Sequence, residues 1–152
     1  MSTRSLKHAQ AEAAVALHLG SWRMTQNPKP IVASGEARVR LFPNQDSFVG
    51  IDVLVAAHDH PVTTVGEQQY LEGPPLLAVE ILSPSDTHGK SGAKLRMYAK
   101  AGVKLIWQVN VEEKTIKVYH KGSWPYLVAC NGNITGEDVL LGLQIPVAQI
   151  FE

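Results

Sequence analysis

Leu76-Leu77-Ala78-Val79-Glu80-Ile81-Leu82 is followed, after Ser83-Pro84-Ser85, by a helical pattern to Ala101 and then by Val103-Lys104-Leu105-Ile106-Trp107-Gln108-Val109-Asn110. Both flanking runs are almost wholly apolar, as strands covered on both faces are. The helical pattern starts at Asp86 or Thr87 and stops at Gly102, a residue suited to a helix C-cap. The stretch therefore reads strand, helix, strand, and a helical crossover makes two neighbouring strands parallel.

Working outward, residues 48–57 form another nearly all-apolar strand, preceded by a turn at 43–47. In residues 31–42, Ala37, Val39 and Leu41 alternate with Glu36, Arg38 and Arg40, which predicts a strand with one wet face. Residues 5–24 carry Leu6, Ala9, Ala13, Ala16, Leu19 and Trp22 at helical spacing, and Asn27, Pro28 and Pro30 end that helix. Residues 58–75, polar and rich in Gly and Pro, read as a long loop or irregular crossover. Beyond the central unit, strands at 115–120 and 124–129 continue a meander closed by Asn131-Gly132-Asn133. Residues 140–151 mix a short strand with a turn of helix after Pro146. The expected class is α/β (α+β), a mixed sheet flanked by helices.

The 152 residues, 45% hydrophobic, suffice for one core, so residues 1–152 are expected to form a single domain. Lys plus Arg equal Asp plus Glu at 14 each, which removes any whole-molecule charge argument for nucleic-acid binding. The charge is nonetheless blocky: residues 41–85 hold six acids and no Lys or Arg, whereas residues 86–104 hold five bases against Asp86. The lone Cys130 excludes an internal disulfide, reads as a small buried hydrophobe, and makes the reducing cytoplasm the expected compartment. No stretch approaches the roughly 20 apolar residues of a membrane span.

Two carboxylates interrupt the apolar strands: Asp52, sharing a face with Leu54 and Ala56, and Glu80, sharing one with Ala78 and Leu82. An unpaired buried charge is costly. Protonation, a salt bridge or a divalent cation would each compensate them, and spacing leaves the three open. Lys90, Lys94 and Tyr98 follow at intervals of four, hence on one helix face.

The run from Leu77 through Ser83-Pro84-Ser85-Asp86, with Lys94-Leu95-Arg96-Met97-Tyr98 and Ala101-Gly102-Val103, resembles the Uma family of restriction-endonuclease relatives in the PD-(D/E)xK nuclease superfamily. The likeness extends from about His8 to Ile150-Phe151. It implies a restriction-endonuclease-like fold and a Mg²⁺- or Mn²⁺-dependent endodeoxyribonuclease whose partner is DNA. It makes Asp52 and Glu80 the metal-holding acids, with the Ile81 backbone carbonyl completing the shell and Glu36 as a possible further carboxylate. Leu82 stands where the superfamily places its Lys, so Lys94 on the following helix becomes the catalytic amine, and Ile51 stands where the family usually has Pro. Lys90, Arg96 and Lys100 become contacts to the DNA backbone. Such nucleases often act as homodimers. The alternative is a nuclease-fold protein without hydrolysis, acting as a DNA-binding or protein-interaction module.

Other motifs point elsewhere. His58-Asp59-His60 has the spacing of a loop ligand pair but reads more simply as solvated loop. His88, at a helix start, is a candidate phosphate contact or an exposed residue. Gly89-Lys90-Ser91-Gly92 lacks the upstream Gly of a Walker motif. Trp107, Trp124 and Tyr119 read as core or dimer-interface aromatics rather than base-stacking platforms.

Overall fold

The computed structural model describes residues 4–84, 86 and 88–152, and of His88 only the backbone. Helix α1 (Leu6–Met24) begins where the Ser5 hydroxyl accepts the His8 backbone N–H at 3.2 Å, a side-chain N-cap. Its buried residues His8, Ala11, Val15 and Leu19 recur every three or four positions, so a single face meets the sheet.

The sheet has eight strands: β1 (Ile31–Arg40), β2 (Val49–Ala56), β3 (Val62–Val65), β4 (Gln68–Glu72), β5 (Leu77–Leu82), β6 (Leu105–Asn110), β7 (Thr115–His120) and β8 (Tyr126–Val128). Their spatial order is β3-β4-β1-β2-β5-β6-β7-β8. β5 and β6 run parallel, as their crossover through α2 (His88–Ala101) requires, with Glu80 opposite Gln108. β2 runs antiparallel to β5, with Val53 opposite Val79 as the last pair before the two strands part. The central β2, β5 and β6 are the near-continuous apolar runs of the sequence, and they are buried because helices cover both faces.

Two cores result. On one face Val53, Val55, Val79 and Trp107 pack under α1 together with Ile134, Leu140, Ile145 and Ile150 from the tail. On the other face Leu54, Ala78 and Ile106 pack against Tyr98 and Val103 of the crossover. Each fully buried Leu or Ile contributes about 1.5–3 kcal/mol relative to exposure. Gly102 ends α2 with φ +99°, while the Val103 N–H closes back on the Tyr98 carbonyl at 3.0 Å.

Several expectations need correcting. Residues 58–75 are not a loop: β3 and β4 form a hairpin there, and β4 pairs in parallel with β1. Of these strands only Leu71 is a buried apolar side chain, so no alternating pattern marked them. The tail pairs β9 (Asn133–Thr135) with β10 (Gln144–Pro146) in a second small sheet, followed by a 3-10 turn at Val147–Ile150. Cys130 is partly exposed rather than buried. Trp107 lies in the core, one of the two places expected for it, and Trp124 is 91% exposed, which excludes only the core reading for that residue. The helix start expected at Asp86 or Thr87 falls partly outside the described residues, since Thr87 is not among them.

Candidate active site

Where β2 and β5 part, a pocket of about 200 Å³ opens, lined by Asp52, Glu80, Ile81, Lys90, Lys94 and Gln108, with Arg4, Leu82, Asp86 and Ser91 completing its wall. Asp52 lies one residue beyond the last β2–β5 pair, in the position that faces Glu80. It is 3% exposed, and its Oδ2 accepts the Ile81 backbone N–H at 2.8 Å. That N–H is thus given to a side chain where the ladder opens.

Glu80 projects to the α2 side of the sheet. Lys94 Nζ donates to its Oε2 at 3.1 Å, and the Tyr98 hydroxyl donates to its Oε1. Lys94 and Tyr98 reach one carboxylate because residues four apart share a helix face. Burial pushes the Glu80 carboxyl up to about 7, with the nearby Asp52 adding to the rise while Lys94 and the Tyr98 hydrogen bond oppose it. Burial, together with Glu80, also holds the Tyr98 hydroxyl far above its usual range, so it remains a donor.

The residues singled out in the sequence separate into two groups. Asp52, Glu80, Ile81, Lys90 and Lys94 come together in the pocket. Glu36 does not line it: it sits at a β-bulge in β1, with φ +59° beside Gly35 at φ +81°, is exposed, and pairs with Arg4 at 3.0 Å. Arg96 and Lys100 are exposed, and at about 100° per residue they point to other sides of α2 than Lys94. Of the histidines, His58 is exposed, and His60 Nε2 lies 2.7 Å from the Glu72 carbonyl. The His88 side chain lies outside the described residues.

Sequence reasoning assigned no role to Gln108, His8 or Arg4, and placed Tyr98 only by its spacing. Gln108 is buried opposite Glu80, with its Oε1 accepting from the Tyr119 hydroxyl at 3.2 Å. Its signal in the sequence is a lone amide in an apolar strand. His8 is 1% exposed, and its Nε2 lies 3.8 Å from Asp52 Oδ2.

Elsewhere, His120 Nε2 is 2.6 Å from Asp138 Oδ1 and 3.5 Å from Glu137 Oε2, and the Tyr126 hydroxyl donates to Glu137. Among the described residues this is the one group of three His or acidic side chains whose ligand atoms all lie within 4.8 Å of one another. Its atoms are already paired as a histidine–carboxylate ion pair. No helix among the described residues is long and apolar enough to cross a membrane.

Comparison with known proteins adds two findings. The model of the Uma2 family, described as "Putative restriction endonuclease", matches residues 1–148. A crystal structure of a "putative nuclease belonging to DUF820" from Anabaena variabilis superposes with a TM-score of 0.79 at 17% identity, covering 99% of this chain and 83% of that one. At that identity the superposition establishes a shared fold. No curated protein matches the chain.

Proposed function

The chain belongs to the Uma2 family, and from that membership and the pocket geometry we propose that it is a divalent-metal-dependent endodeoxyribonuclease. The observation that carries this reading is the meeting of acid, acid and amine in one pocket: Asp52 from β2, Glu80 from β5 and Lys94 from α2.

The residues fit a divalent cation. Buried Asp52 and half-buried Glu80 face each other beside one partly exposed lysine, and burial, with Asp52 adding to it, pushes the Glu80 carboxyl up to about 7 against the opposing pull of Lys94. Asp52 and Glu80 would hold Mg²⁺ or Mn²⁺, with the Ile81 carbonyl as a third oxygen donor. When bound, such an ion polarises a phosphoryl oxygen and lowers the pKa of an attacking water.

The chain's own residues supply the rest. The Ile81 N–H holds one oxygen of Asp52 and leaves the other for the pocket. Tyr98 fixes the rotamer of Glu80 from the helix side. Lys94, anchored on Glu80, is placed to orient the water and to balance charge on the phosphoryl group as it passes through the transition state. Lys90 at the same pocket is the phosphate contact among the three helix bases, so binding should weaken with salt. Cutting both strands with one site per chain would call for a homodimer.

The test incubates the protein with supercoiled plasmid and Mg²⁺ or Mn²⁺, beside EDTA and the Asp52→Ala, Glu80→Ala and Lys94→Ala variants. Nicking lost with EDTA and in each variant supports the proposal. No cleavage, or variants that cut like wild type, would overturn it in favour of a non-hydrolytic binding module.

A further inference from the structure

His8 is a buried polar residue that the mechanism above leaves unused. It is 1% exposed, and neither Nδ1 nor Nε2 has a hydrogen-bond partner. A buried polar nitrogen without a partner costs stability, and a histidine needed only for packing would be replaced at a gain by an apolar residue. The ring is held in place from two sides. Its backbone N–H is bound by the Ser5 cap, and its helix face is pressed on the sheet beside Ala11.

The direction of the ring gives the orphaned nitrogen a purpose. Nε2 lies 3.8 Å from Asp52 Oδ2, the oxygen that already accepts the Ile81 N–H at 2.8 Å. Closing the gap by about 1 Å makes an ordinary N–H···O hydrogen bond. His8 reaches Asp52 without lining the pocket, whose interior it therefore leaves free.

We propose that His8 is a positioning residue: its Nε2–H donates to Asp52 Oδ2 when the pocket holds a cation, so that Ile81 and His8 clamp one oxygen and the other is presented forward. Carboxylates that hold metals are commonly fixed in this way by a hydrogen bond from behind, and losing the partner weakens metal affinity roughly 10–100-fold. The inference rests on the cation-binding part of the proposed function and is independent of whether DNA is cut.

The experiment uses the full chain, its His8→Leu, His8→Gln and Asp52→Asn variants, and no DNA. Mn²⁺ affinity is measured by titration calorimetry, and the His8 ring is followed by long-range ¹H–¹⁵N NMR with and without Mg²⁺. The expected results are an Nε2–H tautomer whose resonance moves on adding Mg²⁺, loss of that response in Asp52→Asn, and Mn²⁺ binding weakened about tenfold in His8→Leu. His8→Gln, which keeps an N–H donor near the Nε2 position, should restore affinity to within about threefold of wild type.

An Nδ1–H tautomer, a ring indifferent to Asp52→Asn, wild-type Mn²⁺ affinity in His8→Leu, or no Mn²⁺ uptake by the wild-type protein would each overturn the assignment. The tautomer is read on the wild-type chain, so the test survives a His8→Leu variant that fails to fold. A protein that shows the His8 effect but never nicks plasmid would sink the nuclease reading alone. One that nicks plasmid while His8→Leu binds Mn²⁺ normally would sink this inference alone.

Discussion

Glu80 and Lys94 are 14 positions apart in the chain and belong to different elements, yet their carboxylate and ammonium meet at 3.1 Å. The parallel β5–α2–β6 crossover brings the helix back over the strand it has just left, and Lys94 therefore lands on Glu80. A lysine two residues after the acid, at the position of Leu82, would stand on the Glu80 face of β5 itself; here the helix supplies the amine from above.

This pairing predicts a specific result for Lys94→Met. Plasmid nicking should fall at least about 100-fold, because the amine is lost from the transition state. Removing the charge that lowers the Glu80 carboxyl should raise it further above about 7. Carboxyl-detected NMR titration of Glu80 in wild type and Lys94→Met checks the second part, and an unshifted or lowered midpoint would contradict the ion pair.

Cation affinity should depend on pH through Glu80. Its folded carboxyl is pushed up to about 7 against 4.5 for the ordinary group, so the metal-free protein carries a proton there at pH 6. The corresponding stability is fully present below about 4.5 and is lost as pH rises through about 7. A cation that needs the ionised form must displace that proton, so Mn²⁺ binding should strengthen about tenfold between pH 6 and pH 8 and release protons at pH 6. Calorimetry in buffers of different ionisation enthalpy measures both, and pH-independent binding would refute the prediction.

The turn carrying Glu137 and Asp138 should respond to pH in two directions. The hydrogen bond to Asp138 raises the His120 imidazole, so that half of the stabilisation is complete below the ordinary histidine value and is lost as pH rises through the raised one. The same bond lowers Asp138, so the carboxylate half is complete above the ordinary aspartate value and is lost as pH falls through the lowered one. Asp138 is 81% exposed on its side chain, so the effect should be local. Amide protection at Asp138 and Val139, taken relative to an unstructured peptide at the same pH, should be greatest between those limits, and a flat profile would show that the pair does not hold the turn.

Gly136→Ala should be among the costliest single-methyl additions in the chain. A Cβ at Gly136 would sit 2.0 Å from the Leu140 carbonyl oxygen, a backbone atom that cannot rotate away. Leu140, Leu143 and Ile145 bring the tail onto the α1-side core, so the strain should loosen that packing. Overpacking of this kind costs about 1–3 kcal/mol. Urea unfolding of Gly136→Ala should show a correspondingly lower midpoint, and unchanged stability would mean that the turn adapts.

Element order and class were legible in the chain because periodicity records which faces are buried. The apolar runs of β2, β5 and β6 and the face of α1 announced themselves in this way, as did the breaks at Pro28, Pro30 and Gly102. Asp52 and Glu80 were visible for the same reason, as charges set in strands that otherwise exclude water. The β3–β4 hairpin was not, because β3 is the edge strand, β4 lies next to it, and the two expose most of their side chains, which leaves no pattern of two.

The partners of those two acids were a different matter. Spacing placed Lys90, Lys94 and Tyr98 on one face of a helix, but which strand that face meets is set by the crossover and by where β2 and β5 part. Glu36 was a weaker carboxylate candidate in the chain, since the charged face of a hairpin explains it equally well, and the bulge at Gly35 and Glu36 turns it to Arg4. Gln108 and His8 carried no periodic signal, since one amide in an apolar strand and one histidine on an apolar helix face look like ordinary core. Local patterns dictated the elements because burial acts on each residue through its near neighbours, whereas the site was decided by tertiary packing, which alone sets the distance from His8 to Asp52 and from Lys94 to Glu80.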